Sequence, residues 1–563
     1  MEKGDDRIKI VVIGGVACGP KAAAKARRCD ADAEITIVEK GDFISYAGCG
    51  MPYYIAGAVK KIEGLMMTPS GAVRDVEFFK DVKGITVRTN TFAQSIDRKK
   101  REVVLVDMKS GQMEAMSYDK LVLATGSSAV VPPIEGVGMK NVFTLHNLND
   151  AAAIFNYIVG SNAGRVVIVG GGLIGLEAAD AMGAQGVDTT IIEMMPHLLP
   201  QILDLEMSDY LAAAMRKEGV NVLTSAKVLK IEGDSDGTAR KVITDKGEVE
   251  TDFVILAIGV RPNTELAAAA GLQIGETGAI YVNEYLQTSD PDIFAGGDCV
   301  ECTHSISGRK AYIPLGSIAN RHGRIIGTNV TGGRETFPGV IGTTVLKTMG
   351  MNVGRTGLSE AQARNAGYST VACISPSVDR AHFFPGGRGI LIKLVAEEGS
   401  GKLLGAQIIG QGDMSKRIDV VAAALAFGAS VEDMAKLDLG YAPPYSTAMD
   451  CIAHSANIIR NKFDNTANSI TAAEVRDKIS RGERFTILDV RSPVEVEKNR
   501  VNDGRVKNIP LDKLRQMMNE LPKDGEIVTL CQAGLRAYEA QVMLRGAGFS
   551  DVRFIDGGMA LWE

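Results

Sequence analysis

The sequence has little charge of either sign to spare. Its 563 residues carry 62 Lys and Arg against 68 Asp and Glu, a net charge of -6. That balance gives no electrostatic reason to bind nucleic acid or an anionic membrane, and neither is expected as a partner. No long hydrophobic run is present either. The most apolar stretch, VVAAALAFGA (420–429), lies between Arg417 and Asp419 on one side and Glu432 and Asp433 on the other. It is too short to span a bilayer and reads as a buried helix. An apolar leader is also missing: MEKGDDR passes straight into a strand-like run at Ile8 to Ile13, so export is not expected. The eight cysteines, at 18, 29, 49, 299, 302, 373, 451 and 531, form no disulfide framework, which fits a cytoplasmic location.

What is present is a duplication. IKIVVIGGVACG (8–19) returns as GRVVIVGGGLIG (164–175), and each copy leads through a helix-like segment to a strand closing on an acid, Glu39 and Glu193. An apolar run, a glycine turn and a 3.6-period helix mark a buried parallel strand in a β-α-β unit. Later echoes, LVLATG (121–126) and VILAIG (254–259), complete the pair. The expected fold is therefore α/β with two Rossmann-like nucleotide-binding domains, the second inserted into the first. Residues 1–150 and 281–335 make the first, and 151–280 the second. Residues 336–462 change character and read as an α+β domain. A short polar linker at 463–469 then leads to a compact α/β module over 469–563.

In the first turn Gly14 and Gly15 permit the tight bend and Gly19 lets the helix pack close, so that backbone N–H groups face a pyrophosphate. Val16 stands where the strict pattern has a middle glycine. Gly170, Gly172 and Gly175 satisfy the pattern fully in the second turn, with Glu177 following in the helix. Glu39 and Glu193 fall where a ribose hydroxyl needs an acceptor. Glu193 also repels a 2'-phosphate, and Met194, Met195 and Pro196 supply no arginine clamp, so NADH is expected over NADPH. Thr125, Gly126 and the AGGDC turn bearing Asp298 belong with the first nucleotide site.

Two thiols stand alone. Cys49, in SYAGCGMPYY (45–54), has no neighbouring cysteine, so its partner sulfur must come from a substrate, an oxidant or another domain. It precedes a helix start, where a thiolate is expected to be favoured, and Ala47, Gly48 and Gly50 leave room for a flat ring. Cys531 opens CQAGLR near the other end. Cys299 and Cys302 form CVEC with His304 nearby, but with no second CxxC they read as structural thiols, and no metal site is expected.

Over residues 1–460 these motifs resemble the pyridine nucleotide-disulfide oxidoreductases. The likeness is to their single-cysteine branch, which includes coenzyme A-disulfide reductases, NADH oxidases and peroxidases, and NADH-dependent persulfide or polysulfide reductases. The resemblance implies FAD at Gly14, Gly15, Gly19, Glu39, Thr125, Gly126 and Asp298, NADH at Gly170, Gly172, Gly175 and Glu193, and catalysis at Cys49. The CxxxxC pair of the glutathione-reductase branch is missing, and Ala17 stands where the peroxidases carry a histidine. YAPPYS (441–446) resembles the segment through which a homodimer partner reaches the sulfur, which implies Tyr441 or Tyr445 as a phenol donor and coenzyme A as a ligand or substrate moiety. FFPG (383–386) departs from the tyrosines of that branch. The tail, with LDVRSPVE (488–495), CQAGLRA (531–537) and DGGMALW (556–562), resembles a rhodanese domain. It implies Cys531 as sulfur carrier, Arg536 and Gly534 in its cradle, and Asp489 and Arg491 at the preceding strand end. The function implied is reduction of persulfide, polysulfide or coenzyme A disulfide with sulfur relay. An oxidase or peroxidase cycling through a sulfenic acid, and a non-turnover sulfur carrier or redox sensor, remain the alternatives.

Overall fold

The computed structural model describes residues 7–562, so most of the charged leader lies outside the described residues. The chain divides into two compact units, Met1–Pro196 with Gly219–Val340, and His197–Glu218 with Ile341–Glu563.

The first unit holds two five-stranded parallel sheets of the same design. In one, Thr86–Arg88, Glu34–Val38, Lys9–Ile13, Lys120–Leu123 and Ile293–Ala295 lie side by side. In the other the order is Asn221–Leu223, Asp188–Ile192, Arg165–Val169, Phe253–Leu256 and Val142–Thr144. The duplicated motif thus supplies the same four strands twice. The fifth differs in origin: the first sheet takes it from downstream and the second from upstream of its own motif. The central strands KIVVI and RVVIV are buried along nearly their whole length because helices pack on one face of each sheet and a three-stranded antiparallel sheet on the other. Three-stranded antiparallel sheets, Thr91–Ser117 and Val228–Glu250, flank the two.

The second unit carries a five-stranded antiparallel sheet built from Thr344–Thr348, Met351–Gly357, Leu403–Gly410, Gly389–Glu397 and Thr370–Val378. The helix Ser415–Ala426, which contains most of the apolar run, buries Ile418, Val421 and Leu425. Among the described residues no helix is long and apolar enough to cross a membrane. A separate five-stranded parallel sheet, Ser469–Ile470, Val552–Ile555, Ile527–Leu530, Thr486–Asp489 and Val506–Asn508, forms the terminal module.

The polar stretch 463–469 is fastened rather than loose. The Asn461 carbonyl accepts from the N–H groups of Thr466 (2.9 Å) and Ala467 (3.0 Å). Gln541 clamps Asn468 through both its N–H and its carbonyl. Next to it, Lys462 Nζ donates to Asp556 Oδ2 (2.5 Å) and to the Ala372 carbonyl (2.5 Å), which joins the terminal module to the antiparallel sheet.

A second tie anchors the segment His197–Glu218 to this unit. Lys393, 2 % exposed on its side chain, places its ammonium 3.0 Å from Asp204 and 2.8 Å from Glu360, with Glu206 also paired. Burial opposes the charge, but the three carboxylates outweigh it and hold Lys393 above the usual lysine range. The three acids gather as a cation site would, and the lysine is the cation they hold.

Candidate active sites

The two glycine turns are near copies at atomic detail. Gly14 (φ 111°) and Gly170 (φ 109°) have positive φ, and a Cβ on either would lie 2.0 Å from the Ala124 oxygen or 2.4 Å from the Ala257 oxygen. A Cβ on Gly19 or Gly175 would meet the carbonyl of Gly14 or Gly170 at 1.9 and 2.1 Å. Only glycine permits these approaches. Gly172 has open space around its missing Cβ, so the backbone there is accessible to a ligand, whereas Val16 presents a side chain. The helices that follow, Cys18–Cys29 and Leu173–Ala184, have neither a side-chain cap nor an acid in the first turn. Four helices of the second unit, by contrast, carry complete capping boxes. Uncapped N-terminal N–H groups beside open backbone suit a pyrophosphate.

The two acids are held alike. Glu39 accepts from Gly15 N–H (2.6 Å) and Gly41 N–H (2.7 Å), and Glu193 from Gly171 N–H (2.7 Å) and Met195 N–H (2.7 Å). Each carboxylate keeps lone pairs for a ribose hydroxyl. The Thr125 hydroxyl donates to the Asn263 carbonyl (2.7 Å), and the Asn263 side chain donates back to the Thr125 carbonyl (2.8 Å). Gly126 (φ 66°) has nothing within 4 Å of its missing Cβ. Asp298 is half-buried with a single long contact, Ser127 Oγ at 3.5 Å, and burial raises its pKa. A poorly satisfied carboxylate next to the first turn fits a group that brings hydroxyls.

The segment bearing Cys49 is drawn back to this turn, because Ser45 N–H donates to the Gly15 carbonyl (2.7 Å). Cys49 sits in a 3-10 turn, Gly48–Gly50, that runs into the short helix Met51–Ile55. A Cβ on Gly316, the first residue of the uncapped helix Gly316–Asn329, would lie 3.8 Å from its sulfur. The side chain is exposed and free. The expectation of a standing thiolate needs correcting: desolvation first, then Glu177 and Asp298, push the thiol pKa up. Glu177 is itself raised to about 7, by burial and then by Asp180. Sequence reading noted Glu177 without a role, since the closeness of the second helix to Cys49 is a tertiary fact.

Cys531 is the opposite case, buried and 1 % exposed. Gly534 (φ 99°) donates its N–H to the Cys531 sulfur (3.1 Å) and opens the uncapped helix Leu535–Gly546. A Cβ on Gly558 would lie 2.3 Å from the Cys531 carbonyl oxygen, so the DGGM turn closes the cradle from behind. Arg536 makes a bidentate pair with Glu495 (2.9 and 2.7 Å), which drives the Glu495 pKa down to about 2. Glu495 also completes the capping box of Ser492, a signal readable as S-x-x-E in RSPVE. Asp489 and Arg491 form a fully buried pair (2.6 Å) in which Arg491 Nη1 has no hydrogen-bond partner among the described residues. Arg536 borders a cavity of about 480 Å³, with Val490, Pro510, Leu511 and Met543 as apolar wall and Arg515 and Asp512 as further charged groups.

Tyr441 and Tyr445 lie in the second unit, 50 % and 70 % exposed. The Pro443 carbonyl accepts from Ala381 N–H (3.3 Å), so YAPPYS runs beside the loop of the exposed Phe383. Cys299 and Cys302 are buried free thiols and do not pair.

Comparison with known proteins agrees with this geometry. The family model described as pyridine nucleotide-disulphide oxidoreductase matches residues 8–323, its dimerisation domain 344–452, and a rhodanese-like domain 471–563. The chain is 38% identical over 452 residues to a Pyrococcus horikoshii protein named NAD(P)H coenzyme A polysulfide/persulfide reductase, covering 80% of this chain and 98% of that one. A solved NAD-dependent persulfide reductase from A. fulgidus is 43% identical, with TM-score 0.94, over 99% of this chain and 100% of that chain. A reduced Bacillus anthracis CoADR-RHD is 34% identical, with TM-score 0.92, over 99% and 98%.

Proposed function

Because the chain belongs to the pyridine nucleotide-disulphide oxidoreductase family and ends in a rhodanese-like domain, we propose that it is an NADH-dependent flavoprotein reducing the S–S bond of a persulfide, polysulfide or coenzyme A disulfide at Cys49. The observation that carries this reading is a solitary, exposed, unpaired Cys49 on a segment tied to the first glycine turn through Ser45 and within electrostatic reach of Glu177 on the helix after the second. Gly14, Gly15, Gly19, Glu39, Thr125, Gly126 and Asp298 would hold FAD, and Gly170, Gly172, Gly175 and Glu193 NADH. When bound, FAD supplies passage of two electrons from NADH to sulfur.

Cys49, as thiolate, attacks one sulfur of the acceptor. The acceptor S–S bond breaks, one thiolate or sulfide leaves, and a mixed disulfide or persulfide forms on Cys49. Two electrons then break this second S–S bond, the fragment held on Cys49 leaves as thiolate or hydrosulfide, and a proton returns Cys49 to the thiol. Exposure of Cys49 lets an external sulfur approach. Glu177, protonated below about pH 7, then places no negative charge against the attacking sulfur. Tyr441 or Tyr445 of a partner subunit in a homodimer would donate its phenol proton to the departing thiolate.

Cys531 takes sulfane sulfur as a persulfide, stabilised by the Gly534 N–H and the helix behind it, and passes it to Cys49 or to a diffusible thiol. The cavity beside Arg536, with an apolar wall and both Arg515 and Asp512 at its rim, suits an organic thiol carrier.

The test compares NADH oxidation by wild type, Cys49→Ser and Cys531→Ser with polysulfide, glutathione persulfide, coenzyme A persulfide, coenzyme A disulfide, oxygen and peroxide. The proposal requires sulfur acceptors to outpace oxygen and peroxide and to depend on Cys49. Faster turnover with oxygen or peroxide would favour the oxidase reading. Negligible turnover with every acceptor, together with persulfide on Cys531, would favour a carrier or sensor. Unchanged activity of Cys531→Ser with every acceptor would remove the relay.

A further inference from the structure

The turn that presents Asp298 is held by a buried imidazole, and the CVEC thiols belong to that support. Gly296 follows the strand Ile293–Ala295 and is fixed to the Leu123 carbonyl (3.0 Å). Gly297 has φ 82°, a conformation that favours glycine. The turn is squeezed between two helices. A Cβ on Gly296 would lie 2.9 Å from His322 Cβ and 3.0 Å from Cys18 Sγ, and one on Gly297 3.1 Å from Cys18 Cβ. Cys18 begins the first dinucleotide helix, and His322 lies on the helix Gly316–Asn329.

The Nδ1 atom of His322, a residue with no exposed surface, accepts from Gly297 N–H at 3.1 Å. The ring proton is thereby assigned to Nε2, which points at Cys302 Sγ, 3.7 Å away. An edge-on contact with Phe337, with centroids 4.3 Å apart, closes the remaining side. Cys299 Sγ bonds the Gly296 carbonyl from below (3.3 Å), and Tyr312 Oη donates to the Asp298 carbonyl (2.9 Å).

A thiol facing an imidazole is also the arrangement of a nucleophile and its base. Here desolvation lowers His322 to about 3 and raises Cys302 to about 12, so both stay neutral and neither can activate the other. What remains is a geometric role. We propose that His322 is a positioning residue for FAD: it holds the Gly297 N–H and so sets the turn that offers Asp298 to the ribityl hydroxyls, with Cys302 orienting the ring. This rests on the reading that the first nucleotide fold holds FAD with Asp298 as a ligand.

The experiment measures FAD retention and the FAD dissociation constant of purified full-length protein, together with visible circular dichroism of the flavin. The variants are His322→Leu, His322→Asn, Cys302→Ala and Asp298→Ala. His322→Leu, which removes the acceptor, should weaken FAD binding about tenfold and alter the flavin dichroism. His322→Asn, which keeps an acceptor oxygen, should recover most of that loss, while the KM for NADH stays unchanged. Wild-type FAD affinity in His322→Leu, alongside loss in Asp298→Ala, would overturn the positioning role and leave the FAD site standing. Wild-type affinity in Asp298→Ala would instead remove the underlying reading. If His322→Leu fails to fold, ¹⁵N NMR of histidine-labelled holoenzyme decides. One neutral ring protonated at Nε2 and unchanged from about pH 6 to 9 is required, and a proton on Nδ1 sinks the proposal.

Discussion

The two sulfur sites make opposite use of the same amino acid. Cys49 is exposed, on a three-residue turn, with desolvation and then two carboxylates raising its pKa; Cys531 is buried, with a backbone N–H aimed at its sulfur and glycines on both sides. A sulfur that must meet both a cofactor and an external acceptor needs open space around it, and its reactivity then depends on neighbours that come and go. A sulfur proposed to carry sulfane sulfur as a persulfide anion needs donors aimed at it, and the cradle that supplies them becomes part of the fold. The first kind of site should therefore be sensitive to local charge and the second to local shape.

The sharpest test of that contrast is crossed substitution. Cys49→Ser should lower NADH-dependent reduction of coenzyme A disulfide by about 10³-fold or more while leaving thiosulfate-to-cyanide sulfur transfer intact, and Cys531→Ser should abolish that transfer and slow NADH oxidation with persulfide acceptors fed through the relay while leaving coenzyme A disulfide reduction intact. Both activities falling together in either variant would break the comparison. Next in size is shape. Gly558→Ala places a methyl 2.3 Å from the Cys531 carbonyl at φ 58°, so sulfur transfer should drop about 100-fold with coenzyme A disulfide reduction retained.

Stability separates the units themselves. Lys393→Met leaves Asp204, Glu206 and Glu360 without their cation, which should cost about 3–5 kcal/mol, read as a lower melting temperature of the second unit. An unchanged melting curve would show the hub to be dispensable. The smallest effect is the charge response of Cys49. Glu177 becomes a carboxylate as pH rises through about 7 and then opposes ionisation of the thiol. Glu177→Gln should therefore speed iodoacetamide alkylation of Cys49 by about threefold at pH 8 and have little effect at pH 6, where Glu177 is already mostly neutral. Cys531 alkylation should not change at either pH.

Much of the scaffold could be read directly from the chain. The duplicated glycine turns, Glu39 and Glu193 have local signatures, because a tight strand-to-helix turn and its acid lie within one short segment. The rhodanese-like cradle was legible for the same reason, since Cys531, Gly534 and Arg536 are neighbours in sequence. Even Glu495 was signalled by its spacing from Ser492. The linker was legible in position but not in character: composition shows FDNTANS to be polar, while Asn461, Gln541 and Lys462, which fasten it, are found only by folding. Nor did anything in the sequence announce the helix Leu205–Lys217 as part of the second unit, because its anchor at Lys393 lies far along the chain.

Sequence alone settled the α/β class, the two nucleotide turns and the identity of the two single thiols, since each depends on residues within a few positions of one another. Tertiary structure decided the surroundings of Cys49, the hydrogen bond between Gly297 and His322 and the tie at Lys393. Desolvation, hydrogen bonding and charge pairing act through space, and the groups that set them come from segments that only the fold brings together.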